Sequence, residues 1–111
     1  LLLEHDGQLA AFAQLRPGTE NGVDGPAPIE LWRFYVDPSW HGRGVAARLM
    51  AAVHDTARAR GARTLWLGVW ERNPRAQAFY RKQGFTVVGE HTFMLGPDVQ
   101  TDALLQRKVA A

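Results

Sequence analysis

The chain has 111 residues, 46% of them apolar and 22% charged, a composition that fits one folded domain spanning residues 1–111 and excludes a disordered segment. It contains no cysteine, so disulfides, zinc–thiolate sites and a thiol nucleophile are ruled out. Its formal net charge is only +2, and its thirteen basic residues (all arginine except Lys82 and Lys108) form no run, which argues against nucleic acid but leaves cations for an anionic small ligand.

Leu1–Leu3 and Leu9–Leu15 flank Asp6-Gly7, a pair suited to the positive φ values of a tight turn, so the chain is expected to open on a hairpin. Because it starts without a methionine and already inside this hairpin, a further N-terminal part is expected ahead of Leu1. The apolar start is cut by Glu4-His5-Asp6 and no apolar run approaches the ~18 residues of a membrane span. Neither a signal peptide nor a membrane segment is read, and the expected location is cytoplasmic. Arg16 to Pro28, rich in Gly and Pro, reads as a mobile surface connection at the mouth of a site.

Ile29–Val36 is a strand ended by Asp37-Pro38. Strict alternation places Glu30, Trp32, Phe34 and Val36 on one face, and Ile29, Leu31, Arg33 and Tyr35 on the other. Next come Trp40-His41-Gly42-Arg43-Gly44-Val45-Ala46, a two-glycine loop between a strand and a helix. Such a loop lets backbone approach a ligand closely and aims the first free N–H groups of the helix at it. On glycine spacing alone, an ordinary turn is the simpler reading. The helix carries Val45, Leu49, Ala52, Val53 and Ala57 as an apolar stripe and stops at Gly61; His54 falls on its solvated flank.

Thr64–Trp70 is a strand in which Gly68 marks a bulge or a close approach. Asn73-Pro74 opens a second helix, which Gly84 ends. Phe85–Glu90 and Ala103–Val109 are two closing strands, with Gly96-Pro97-Asp98 in the turn between them. The resulting order, β-β-loop-β-α-β-α-β-β, is a mixed α/β sheet with helical crossovers.

His41-Gly42-Arg43-Gly44-Val45-Ala46 resembles the acetyl-coenzyme A motif Q/R-x-x-G-x-G/A of the Gcn5-related N-acetyltransferases (GNAT family). Asn73-Pro74-Arg75-Ala76-Gln77-Ala78-Phe79-Tyr80-Arg81-Lys82-Gln83-Gly84-Phe85 resembles that family's second signature, N-x-x-A-x-x-F-Y-x-x-x-G-F. Phe93-Met94-Leu95-Gly96, Gln100-Thr101-Asp102 and Trp66–Glu71 look like the PaiA type of bacterial polyamine acetyltransferase. The resemblance covers nearly the whole chain and implies an α+β fold, a mostly antiparallel sheet flanked by helices, whose first strand and two helices are absent from these residues. Two features depart from the pattern: that missing region, which helps build the acceptor site, and His41 in place of Gln or Arg.

The resemblance also implies roles. Backbone amides from Gly42 to Ala46 would take the pyrophosphate of acetyl-coenzyme A, with Arg43 as an ion partner, and Phe34 and Val36 would pair with the pantetheine arm. The Phe34 N–H would polarise the thioester, Asn73 would contact the cofactor, and Tyr80 would donate to the leaving thiolate. Glu30 matches a strand position where several family members carry a catalytic glutamate, and is the candidate base. No metal is called for. The function implied is acetyl transfer to a primary amine of a small acceptor, a polyamine first. A protein or peptide N-acetyltransferase is the second reading, and a non-catalytic coenzyme A-binding sensor the third. A homodimer stays open, with neither nucleic acid nor membrane as partner.

Overall fold

The computed structural model describes residues 1–110. Six strands, β1 (Leu2–His5), β2 (Gln8–Pro17), β3 (Pro28–Val36), β4 (Thr64–Trp70), β5 (Thr86–Leu95) and β6 (Asp98–Lys108), form one sheet in the order β1-β2-β3-β4-β6-β5. Two helices, α1 (Val45–Ala59) and α2 (Pro74–Lys82), connect β3 to β4 and β4 to β5. All neighbours are antiparallel except β3 and β4. The mostly antiparallel α+β architecture implied by the sequence motifs is therefore observed.

β3 and β4 pair only at Pro28–Thr64, Ile29–Leu65 and Glu30–Trp66. Beyond Glu30, β3 continues to Val36 and β4 to Trp70 without a ladder between them among the described residues. The sheet is thus held together at one end of this pair and parted at the other.

A second irregularity sits beside the first. Leu15 faces Leu31 while Gln14 faces Arg33, so Trp32 is an extra residue on β3. A one-residue bulge exchanges the faces of all that follows. Ile29 and Leu31 are buried before it, whereas Phe34 and Val36 pack against the core after it. Strict alternation therefore fails here: Glu30 does not share a face with Phe34 and Val36, and Trp32, 43% exposed, is not a core residue.

The core lies on the helix-bearing face. Leu65, Leu67 and Val69 of β4 and Leu105 of β6 meet Val45, Leu49, Met50, Val53 and Ala57 of α1, with Ala76, Phe79 and Tyr80 of α2 at its edge. Met50 takes the buried place expected for Ala52, which is only half-buried. His54 is also half-buried and accepts a hydrogen bond from the Ala110 N–H at 3.0 Å. Burial, then Arg107 and Arg58, holds its pKa below the usual histidine value, with Asp55 opposing.

The opposite face carries Trp66, Gly68, Asp102 and Leu104, and no helix. Part of it is covered by the segment between β2 and β3, which is anchored rather than free. Its Gly18 carbonyl accepts from the Trp66 indole N–H at 2.9 Å, its Pro26 carbonyl accepts from the Thr64 hydroxyl at 2.7 Å, and its Asp24 bonds Gln106 at 2.8 Å. At the far edge, β5 and β6 run on past the expected Glu90 and Ala103 limits to Leu95–Asp98, because the two strands continue to pair with each other. Only Gly96 and Pro97 remain in the turn.

The anchored segment passes so close to the sheet that a Cβ built on Gly25 would run into the Thr64 side chain. Gly25→Ala is expected to destabilise the fold by about 1–3 kcal/mol, the usual cost of overpacking. In a Thr64→Ala background much of that cost should disappear. Denaturant titration of the two single variants and the double variant measures the coupling, and additive effects would show that the contact is absent.

Candidate functional site

The strand–helix loop forms one wall of a cleft of about 520 Å³ on the helix-bearing side. Asp37 caps a short 3-10 turn, Pro38–Trp40, after which Gly42 (φ 77) and Gly44 (φ 73) turn the chain into α1. These left-handed values are open to glycine and strained for most other residues. A Cβ built on either glycine meets no protein atom within 4 Å and would stand in the cleft itself. Gly44 is the N-cap of α1 and supplies no side-chain hydrogen bond. The N–H groups of the first turn, including Val45 and Ala46, are thereby left for a ligand, with the positive end of the helix dipole behind them.

The facing walls come from β3 and α2. Phe34, Val36, His41, Gly42, Gly44, Val45, Ala46, Asn73 and Tyr80, which the motifs single out, all line this cleft. Arg43 does not line it: its guanidinium lies 5.1 Å from the Trp40 ring centroid, and Arg75 and Lys82 supply the lining's positive charge. No carboxylate lines the cleft. A concave, largely apolar pocket lined also by backbone donors and two cations fits a ligand with an apolar arm and a polyanionic group. The residues present therefore suit a nucleotide-linked thioester such as acetyl-coenzyme A.

Three lining residues have resolved local roles. His41 Nε2 lies 3.1 Å from the Val36 carbonyl, tying the loop back to the end of β3. Asn73 Oδ1 accepts from the Ala76 N–H at 3.1 Å as the N-cap of α2, while its amide N–H groups have no protein partner among the described residues. The Tyr80 ring sits edge-on to Phe34, Phe79 and Phe85. Burial in this aromatic cage pushes its phenol up to about 12. No protein group bonds its hydroxyl among the described residues, and Tyr80 lines the cleft.

Glu30 is elsewhere. It occupies the last paired position before the strands part, on the face without helices, where its Oε1 receives the Arg16 guanidinium. It lines a second, larger concavity of about 730 Å³, together with Trp32, Trp66, His91 and Asp102. The Trp32 ring lies between two guanidinium groups, Arg16 at 4.4 Å and Arg33 at 4.0 Å. Trp32 thus lines this groove, and Trp70 is not among its lining residues. Sequence reasoning missed Trp66, His91 and Asp102. Their signal was the period-2 pattern of β4 to β6, which places them on one face only once the strand order is known.

The acetyltransferase (GNAT) family model matches residues 1–85 of the chain. An uncharacterized N-acetyltransferase of Mycobacterium tuberculosis is 40% identical over 109 residues, covering 98% of this chain and 66% of the relative. The chain thus spans a little under two thirds of that relative. Among solved structures, a nourseothricin acetyltransferase superposes with a TM-score of 0.78 at 29% identity, covering 95% of this chain and 61% of the other. The PaiA N-acetyltransferase of Thermoplasma acidophilum, solved in complex with coenzyme A, gives 0.71 at 21% identity over 95% of this chain and 57% of its own, a likeness of fold. With the family model covering most of its length, the chain belongs to the GNAT family of acetyltransferases.

Proposed function

We propose that the chain transfers an acetyl group from acetyl-coenzyme A to the primary amine of a small acceptor, by direct attack on the thioester. The observation that carries this reading is a segregation of charge across the parted strands. The helix-side cleft has Arg75, Lys82 and no carboxylate, whereas the groove on the other face has three carboxylates, Glu20, Glu30 and Asp102, against one arginine, Arg16. An anionic donor and a cationic acceptor would approach from opposite faces and meet in the gap between β3 and β4.

Acetyl-coenzyme A, when bound, supplies a thioester ready for acyl transfer. The first turn of α1 and the loop from Gly42 to Ala46 hold the pyrophosphate, with His41 and Val45 in the wall. The backbone at Phe34 and Val36 pairs with the pantetheine arm where a neighbouring strand would otherwise lie, and the Phe34 N–H donates to the thioester oxygen. The free amide N–H groups of Asn73 add a donor.

The amine nitrogen bonds to the acetyl carbon as the carbon–sulfur bond breaks. One ammonium proton must leave before attack, and Glu30 receives it, directly or through water, on the Oε2 atom that Arg16 leaves free. The second proton leaves nitrogen as the amide forms and ends on sulfur. Tyr80, which lines the cleft, would serve that sulfur as a hydrogen-bond donor. A phenol at about 12 giving its proton outright to a thiolate of pKa about 8.5 is uphill by about 5 kcal/mol, so the bond, not the full transfer, is what it contributes.

Acetyl-coenzyme A should raise the melting temperature, since it binds the native state alone. Gly44→Glu should abolish that shift by placing a carboxylate among the phosphates. A folded Gly44→Glu protein that still responds would move the cradle elsewhere. A shift in wild type with no thiol release from any amine would favour the sensor reading.

Tyr80→Phe keeps the aromatic packing and should retain stability and the KM for acetyl-coenzyme A, while kcat falls within or just below the ~10²–10⁴ range of general-acid groups. Turnover at the wild-type rate, with chemistry rate-limiting, would make Tyr80 a packing residue. Glu30→Gln should keep cofactor binding and lower turnover, most at low pH where the acceptor is more fully protonated. An unchanged pH–rate profile would leave Glu30 as the structural partner of Arg16.

A further inference from the structure

The groove on the helix-free face contains three carboxylates, and two of them are already engaged. Glu30 holds Arg16, and Glu20 Oε1 lies 3.8 Å from the His91 ring. Asp102 has no hydrogen bond or ion pair from its side chain among the described residues. It is nonetheless half-buried, opposite Trp70 on β4 and His91 on β5. Its carboxylate leans over the next same-face position of β4, where Gly68 has no side chain: a Cβ built there would lie 3.3 Å from Asp102 Oδ2. Gly68 thus leaves room for the carboxylate, and Trp66, Gly68, Phe93 and Asp102 all line the groove.

A carboxylate without a partner, in a concavity whose lining also includes Trp66 and Phe93, is suited to a cation. It supplies a charge-assisted acceptor for an ammonium. We propose that Asp102 is the residue that receives the ammonium of the acceptor, a small primary alkylamine, so that acceptor choice is set by β6 as well as by β3. This rests on the acetyl-transfer reading for its purpose, though not for its physics. Burial raises the carboxyl pKa of Asp102, partly opposed by His91. The carboxylate form carries a desolvation cost in the folded chain that an arriving ammonium would offset.

That cost separates binding from scaffolding. A carboxyl group whose folded pKa lies above its unfolded value contributes stability below the unfolded pKa and loses it as pH rises through the folded one. At neutral pH, Asp102→Asn should therefore melt at or above the wild-type temperature. If Asp102 were a structural partner, the same variant would melt lower.

The test is direct binding of putrescine, followed by calorimetry and by the Trp66 indole N–H signal, with the equally long diol as the uncharged control. Wild type should bind putrescine and not the diol. Asp102→Asn should weaken binding about tenfold or more, and Asp102→Glu should recover part of it. Gly68→Val, which displaces the carboxylate without removing it, should weaken binding as well. In turnover, Asp102→Asn should raise the acceptor KM and leave the KM for acetyl-coenzyme A unchanged. Equal putrescine affinity in wild type and Asp102→Asn, equal affinity for the diol, or no putrescine binding to wild type overturns the proposal. An acetyl-coenzyme A melting shift in the same preparation reports separately on the other face, so loss of that shift with putrescine binding intact counts against the transferase reading alone.

Discussion

Everything that could serve chemistry in this protein depends on the place where β3 and β4 stop pairing. Three residue pairs join the strands, ending at Glu30–Trp66, and beyond them the backbone of β3 has no neighbour on that side among the described residues. Unpaired backbone groups inside a sheet are costly unless something satisfies them. In this protein the opened edge faces a cleft lined by Phe34 and Val36, where an extended ligand would complete the missing ladder. The two concavities lie on opposite faces of the sheet and share no lining residue.

The bulge at Trp32 gives that gap its chemistry. Without it, Glu30 would share a face with Phe34 and lie on the side of the helices and the core. With it, Glu30 turns to the helix-free face, while Phe34 and Val36 turn to the cleft beside Tyr80. One extra residue thereby places a carboxylate and a phenol on opposite sides of the sheet. The same exchange keeps carboxylates out of the cleft that holds Arg75 and Lys82, where they would repel a polyanion.

Glycine has two distinct uses around this gap. Gly42 and Gly44 adopt left-handed φ and bring backbone N–H groups to the cleft wall. Gly68 has ordinary strand geometry and acts by absence, leaving room for Asp102 from the adjacent strand. The start of the anchored segment, through Gly18 and Glu20, lines the groove, and the Trp66 indole N–H bonds the Gly18 carbonyl beneath it.

Much of the helix-side cleft was legible in the sequence because its parts are local. A glycine loop between a strand and a helix, an asparagine cap followed by proline, and Phe79-Tyr80 one turn before a terminating glycine are each set by backbone conformation within a few residues. The alternation that should place Glu30 was legible and misleading, because the bulge is imposed by pairing with β2 and leaves no mark in β3 itself. The length of the β5–β6 hairpin, the anchoring of the Arg16–Pro28 segment and the groove around Asp102 come from contacts between residues far apart in the chain. Local residue patterns determined which elements form and which loop turns its glycines into the cleft wall. Only the tertiary structure decided which side chains share a face, because sheet order and a single-residue register shift are non-local properties of the pairing.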